Sequence, residues 1–405
     1  MIFILGLLSA IGPFSIDMYL PGFPDIAVDL NTTVAKISLS LSSFFIGISV
    51  GQLIYGPLLD KFGRKRPLYV GLSLYVITSA GCALAATADQ LIILRFLQAL
   101  GSCAGMVASR AMVRDLFPAS ETAKVFSKLM LVIGVSPIIA PTTGGYLTAA
   151  FGWHSVFVVL TIMVALILVA VHFYLPESKL PDKNMSLKPA PIIKNFASVI
   201  KESQFLTYAF TGALASAGLY AYISGSPYVF MQMFHATEKL YGWIFAIIAG
   251  GLILCSQINS LLLRKKKSEQ IIKVALLCQS ITGIILFIAF IFGWLNMVGT
   301  IALIFVFLCC QGFIFPNSSA LSLAPFSKNA GSASAVLGTI QMSIGAFSSA
   351  MVSVLSNNSA LPMSGIMALC SVSGFAVLMI GNNIVRYKAR PEDVSEETAE
   401  MASTL

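Results

Sequence analysis

"GPLLDKFGRKRPLYVG", residues 56–71, joins one apolar run to the next through a turn carrying Lys61, Arg64, Lys65 and Arg66. The runs on either side, approximately 36–59 and 68–87, each match the ~20 apolar residues that a helix needs to cross a bilayer. The stretch therefore reads as two membrane spans closed by a cytoplasmic loop. Gly63 permits the tight turn that so short a connection needs. The basic cluster is placed to meet anionic lipid headgroups. Asp60 stands out among these cations, and Arg110 or Arg114, at the end of another span, is its expected partner.

The same rule, carried along all 405 residues, gives twelve spans. They run approximately 2–21, 36–59, 68–87, 90–112, 124–149, 153–175, 204–228, 240–262, 270–292, 297–323, 330–355 and 361–385. No period-two alternation marks membrane strands. Composition requires a lipid-solvated surface: 57% of the chain is hydrophobic and only 10% is charged, against about 25% charged in soluble domains. The net charge of +8 does not point to nucleic acid, because the basic residues fall in short loops between apolar runs. All but Lys36, Arg95 and Lys239 of the 25 lysines and arginines lie on one side of a twelve-span layout. They occupy the 2–3, 4–5, 6–7 and 8–9 connections, position 328, and the tail. By the positive-inside rule that side is cytoplasmic, and so are both termini.

The longest polar break, 176–203, divides the chain into six-helix halves, 1–175 and 204–385, as expected for paired membrane half-domains. Residues 386–405 form a polar, acidic cytoplasmic tail expected to lack regular structure. A cleaved signal peptide is not read at 2–14, where there is neither a basic leader nor a small-residue cleavage site. Either the first span starts at the membrane surface or the native start lies upstream of Met1. The seven cysteines all fall in apolar segments without CxxC spacing, and the three histidines are scattered. Neither a disulfide framework nor a metal site is expected.

Two charges lie deep inside spans. Asp17 is four residues before Pro21 in the outward-running first span, about 6 Å from its outer end at 1.5 Å per residue. Arg95 lies five residues into the inward-running fourth span, about 7–8 Å deep by the same rise. Such charges usually face a partner or a water-filled cavity, since each costs at least ~2.5 kcal/mol on insertion scales. One reading is a static ion pair holding spans 1 and 4 together. The other is a proton-coupling pair, in which burial and the neighbouring cation oppose one another at Asp17 and a small rearrangement moves its proton. Gln98 and Ser102 share the helical face of Arg95 and, with Tyr19, Tyr220, Tyr222, Gln311 and Gln341, are candidates to line a substrate cavity. In span 5, Pro137 and Pro141 lie four apart on one face and each removes a backbone hydrogen bond. Gly134, Gly144 and Gly145 allow close helix approach. A bent, tightly packed helix suits a hinge or seal between halves. Gly331, Gly338 and Gly345, spaced by seven, read as a packing seam in span 11.

The loop pattern, with Gly56, Asp60, Lys61, Gly63, Arg64 and Lys65 in register, resembles the signature of the major facilitator superfamily. "RFLQALG" at 95–101 is similar to that family's Arg-x-x-Gln-Gly-x-Gly motif, with Ala99 at a glycine position. "GVSPIIAPTTGGYL" at 134–147 looks like its antiporter motif at Pro141, Gly144 and Gly145, with Ala140 in place of the first glycine. Together with "SIDMYLP" and "GQLIYGP", these resemble the Bcr/CflA, bicyclomycin-resistance type of exporter. The second half resembles the family mainly in topology.

The resemblance implies an all-α integral membrane protein with the twelve-helix facilitator fold, in which spans 1 and 4 both line a central cavity. It implies a monomer of the bacterial inner membrane that exports drugs or small amphiphilic metabolites by alternating access. Gly56, Asp60, Gly63, Arg64, Arg114, Pro137, Pro141, Gly144 and Gly145 would act in gating. An importer or metabolite symporter of the same fold is the alternative. An enzyme is not expected, because the spans offer no convergent catalytic groups. No GxxxxGK[ST] loop for ATP is present, so no cofactor is expected and the energy comes from an ion gradient or from none. Protons are the expected coupling ion, with sodium left open.

Overall fold

In the computed structural model the described residues are 1–181, 196–326, 330–356 and 359–403. Lys183, Lys188, Lys194 and Lys328 lie outside them, as does half of the 176–203 linker. Side chains are not described at Lys124 or beyond 385, so Arg386, Lys388 and Arg390 are placed by backbone only.

Twelve long helices follow one another among the described residues. They are α1 (Ile2–Asp17), α2 (Val34–Phe62), α3 (Lys65–Ala83), α4 (Ala88–Leu116), α5 (Ala119–Phe151), α6 (His154–Tyr174), α7 (Ser203–Pro227), α8 (Glu238–Leu262), α9 (Ser268–Ile291), α10 (Met297–Leu323), α11 (Ala330–Val354) and α12 (Leu361–Ser403). Several starts are capped by a side chain. Thr33, Thr87 and Thr237 accept first-turn N–H bonds with their hydroxyls at α2, α4 and α8, and Asn296 does so with its amide oxygen at α10. Two helices end on glycines in positive φ, Gly63 at +82° and Gly152 at +77°. Nine of the described segments could cross a membrane on length and composition alone. The helices α3, α5 and α7 miss that criterion because of basic residues or Ser, Thr, Gly and Pro. Large apolar side chains point outward, as lipid solvation requires: Val70, Ile77, Leu166 and Val274 are 62–70% exposed.

Helices α1–α6 pack on one another, and α7–α12 do likewise. The two sets meet chiefly along α2–α11 and α5–α8. Two boundaries depart from expectation. Span 1 was expected to run to about residue 21, but α1 stops at Asp17. Pro21 has no N–H to offer the Asp17 carbonyl, so the ladder breaks there. A 3₁₀ turn (Leu20–Gly22) and a short helix (Phe23–Asp29) follow. The tail, expected to be irregular, instead continues α12 to Ser403. Its Glu- and Ala-rich sequence after Pro391 favours helix. Pro227 ends α7 and leads into a π-helical turn, Tyr228–Met233. All seven cysteines are free.

Candidate transport site

Arg95 is completely buried. One Nη donates to the Ser15 carbonyl on α1 at 2.8 Å and the other to Gln98 Oε1 at 2.5 Å. The guanidinium lies 4.3 Å from the Tyr19 ring centroid and 4.2 Å from that of Phe44. Two aromatic faces and two charge-assisted bonds hold a cation that has no carboxylate beside it. Tyr19 is itself fixed by a 2.7 Å hydroxyl contact with Ser40, and Ser15 by one of 2.6 Å with Tyr75. Arg95 Nε, Gln98 Nε2 and Ser102 Oγ remain buried without hydrogen-bond partners among the described residues.

The ion pair between Asp17 and Arg95 is not formed. α1 and α4 do pack together, but Arg95 takes a backbone oxygen of α1 rather than the carboxylate. Asp17 is the last residue of α1, only 5% exposed, and has no hydrogen bond or ion pair with any described residue. Its charge acts on Tyr220, Tyr222 and Tyr241 of α7 and α8, so it lies near the other set of helices. The Tyr222 hydroxyl is buried and unpartnered, while Tyr241 meets Ser226 at 2.8 Å. Tyr220 packs edge-on against Phe45 of α2, centroids 4.7 Å apart, and its hydroxyl reaches Met342 Sδ at 3.7 Å.

The remaining candidates separate from this centre. Gln311 donates to Ser216 Oγ at 2.6 Å and accepts from Gln279 at 3.4 Å, in a polar cluster of α7, α9 and α10. Gln341 is buried on α11 with its Nε2 unpartnered. Sequence reasoning missed Tyr241, Ser216 and Gln279. Gln279 carries the same signal as Gln311 and Gln341, an amide inside an apolar span.

At the end of the bundle that carries the 2–3 loop, a compact network forms. Arg64 donates to Asp115 through Nε (2.7 Å) and Nη2 (3.3 Å), and to Asp60 through Nη1 (2.9 Å). Asp60 also accepts from Lys179 at 2.9 Å. The expected partners of Asp60, Arg110 and Arg114, are therefore replaced by Arg64 one turn on and by Lys179 after α6. Arg114 makes no ion pair among the described residues; the neighbouring Asp115 carries the contact. Burial alone would lower the Arg64 pKa, but the hydrogen bonds and charge of Asp115 and Asp60 outweigh it and raise it. Glu177 accepts from the backbone N–H groups of Arg64 (2.7 Å) and Lys65 (3.1 Å). Around Gly63, an added Cβ would lie 2.9 Å from the Lys179 carbonyl. At Gly56 it would meet nothing within 4 Å, so that glycine is not needed for close packing here.

At the opposite end the two sets are joined. Gly144 packs on the Met18 carbonyl, just past the break in α1. Gly145 packs on α8, where an added Cβ would lie 2.5 Å from the Glu238 carbonyl. Gly242 answers from α8, its Cβ position 2.8 Å from the Pro141 carbonyl. Pro137 and Pro141 lie within the continuous α5. Along α2–α11 the contacts are hydroxyls: Ser42 to Ser349 at 2.9 Å, Ser49 to Ser343 at 2.8 Å, and Ser38 to the Ser224 carbonyl of α7 at 3.1 Å. Gly338 is covered by Gln52 and Gly345 by Tyr220, so both face close neighbours.

Two bundles of membrane helices meeting along such seams, with a buried carboxylate near the junction, have the architecture of a secondary transporter. The sequence pattern of the Major Facilitator Superfamily matches residues 5–350, and the chain belongs to that superfamily. It is 34% identical over 380 residues to the uncharacterized MFS-type transporter YdgK of Bacillus subtilis, covering 92% of each chain. It is 30% identical to a bicyclomycin resistance protein homolog of Haemophilus influenzae, over 91% of this chain and 92% of that one. The multidrug resistance protein MdtL of Escherichia coli O157:H7 is likewise 30% identical with the same coverage. These relatives support the Bcr/CflA-type resemblance. A D-xylose–proton symporter has the same fold, with TM-score 0.73 at 15% identity over 92% of this chain and 96% of that chain. Membership of a transporter family also means that the chain is not an enzyme.

Proposed function

We propose that this transporter exports drugs or small amphiphilic metabolites from the bacterial cytoplasm across the inner membrane, exchanging them for protons by alternating access. The observation that carries the reading is Asp17: a buried carboxylate with no hydrogen bond or ion pair to a described residue, on one set of helices and near the tyrosines of the other. A charged carboxylate so placed is costly to bury, and protonation removes that cost. The neutral form therefore favours the packed junction. The ionised form favours an arrangement in which water, or a donor on the substrate, reaches it. Arg95, held by Ser15 and Gln98 and sandwiched by Tyr19 and Phe44, is a fixed positive charge that need not move. The names of the drug-resistance relatives support export, and positive-inside patterning supports cytoplasmic termini and a cytoplasmic Arg64 network.

In this reading the halves are residues 1–175 and 204–385. The glycine and serine seams seal the periplasmic side, while Asp60, Gly63 and Arg64 stabilise the cytoplasmic side of the first half. Tyr19, Gln98, Ser102, Tyr220 and Tyr222 become cavity walls when the halves part. The test is a drug-susceptibility panel in a pump-deficient bacterium, paired with pH-gradient-driven uptake into inverted vesicles. Asp17→Asn and Arg95→Ala should both lose resistance at wild-type membrane levels. Full gradient-driven transport by Asp17→Asn would overturn the coupling role.

A further inference from the structure

The two halves treat their equivalent basic loops differently. In the 2–3 loop Arg64 is held by Asp60 and Asp115, with Lys179 also on Asp60 and Glu177 on the turn backbone, while Lys61 and Arg66 make no ion pair with a described residue. Lys65 donates to the His172 carbonyl and lies over the Tyr69 ring. The 8–9 turn contains Arg264, Lys265, Lys266 and Lys267 in succession, all exposed. None of the four makes an ion pair with a described residue. Glu269, the nearest acid in sequence, does not reach them in an ion pair. The turn is nonetheless ordered, because the N–H groups of Arg264, Lys265 and Lys266 bond back to the Leu261 and Leu262 carbonyls. Four cations are thus fixed in one turn against their mutual repulsion. Directly beneath, Leu261, Leu262 and Leu263 are 58, 39 and 43% exposed.

From this placement we infer that the 8–9 turn is a binding site for anionic phospholipid, with the headgroup phosphates on Arg264–Lys267 and the acyl chains along Leu261–Leu263. The charge calls for an anion, and the apolar side chains directly below call for one that carries a hydrocarbon tail. Basic residues near an anionic membrane surface attract it cumulatively, so four in one turn act together. In the 2–3 loop, expected from sequence to be the lipid-binding cluster, Arg64 and Lys65 are engaged with the protein itself, leaving two free cations against four in the 8–9 turn. The inference does not depend on what is transported or in which direction.

The test is native mass spectrometry of the purified full chain in uncharged detergent, titrated with dioleoyl phosphatidylglycerol or dioleoyl phosphatidylcholine. Retention of the anionic lipid alone is expected, and its affinity should fall at least tenfold in the variant R264Q/K265Q/K266Q/K267Q. The control K65Q/R66Q should stay within twofold of wild type. Raising salt on the unmodified protein should release the lipid, which tests the electrostatic origin without any substitution. Equal affinity in the quadruple variant, equal retention of phosphatidylcholine, or salt-insensitive binding would each overturn the site. Displacement by millimolar inorganic phosphate would do so too, since it would show a free-anion site rather than a lipid site.

Discussion

Gly145→Ala should open the seam between the halves without unfolding either. Its new Cβ would sit 2.5 Å from the Glu238 carbonyl oxygen and 3.0 Å from the carbonyl carbon. An ordinary contact begins near 3.4 Å, so α5 and α8 must separate by roughly 0.9 Å, and the obstacle is backbone that cannot rotate away. Overpacking of this kind costs about 1–3 kcal/mol. Because Gly145 and Glu238 belong to different sets of helices, the cost falls on the closed arrangement. That corresponds to a 5–150-fold shift in the closed–open equilibrium. The reporter is Ser42→Cys with Ser349→Cys, whose hydroxyl oxygens are 2.9 Å apart across α2–α11, in a background lacking the seven native cysteines. Disulfide formation in membranes should slow at least fivefold when Gly145→Ala is added. Gly56→Ala, where the methyl meets nothing within 4 Å, should leave it unchanged. A cross-linking rate within twofold of the parent, with protein levels equal, would refute the claim that Gly145 controls the seam.

Oxidising the Ser42→Cys/Ser349→Cys pair should itself stop transport, with activity restored by reductant; continued transport in fully cross-linked protein would show that this seam need not part. Gly144→Ala strikes the Met18 carbonyl within one half, so it should lower the melting temperature in detergent, unlike Gly145→Ala. Arg64→Gln leaves Asp115 and Asp60 facing one another without their shared cation. Breaking a buried pair costs about 3–5 kcal/mol; the carboxylates are 20% and 39% exposed, so about 1–3 kcal/mol is expected in an unfolding titration. Arg95→Lys should fail in drug-susceptibility assays as badly as Arg95→Ala, because one ammonium cannot meet Ser15, Gln98 and two ring faces together.

Why the spans were legible and the site only partly so follows from what each depends on. Span positions follow from a solvent rule: lipid demands about 20 apolar residues and the headgroup side collects Lys and Arg, so both signals are written locally. The buried charges were visible for the same reason. Asp17 and Arg95 violate the rule, and the violation is local. What they touch is not local. The Ser15 carbonyl is available to any donor, and no residue type announces that Arg95 will choose it over a carboxylate two positions away. Counting depth placed the pair at one level, yet a carboxylate and a guanidinium at one level can still point to different neighbours. The break of α1 at Asp17 was in principle readable, since Pro21 denies the Asp17 carbonyl its partner. Its consequence was not, because it leaves the carboxylate near tyrosines of α7 and α8, more than 200 residues away in sequence. The Asp60 error has the same origin. Opposite charge at a helix end fits Arg110, Arg114, Arg64 or Lys179 equally well, and only packing decides among them. The glycines of α5 show the converse. Their smallness was legible as close approach, and only the structure divides them: Gly144 locks α5 to its own half, and Gly145, its immediate neighbour in sequence, meets the other half. Adjacent residues on a helix point about 100° apart, and here that single step separates holding a half together from joining it to its partner.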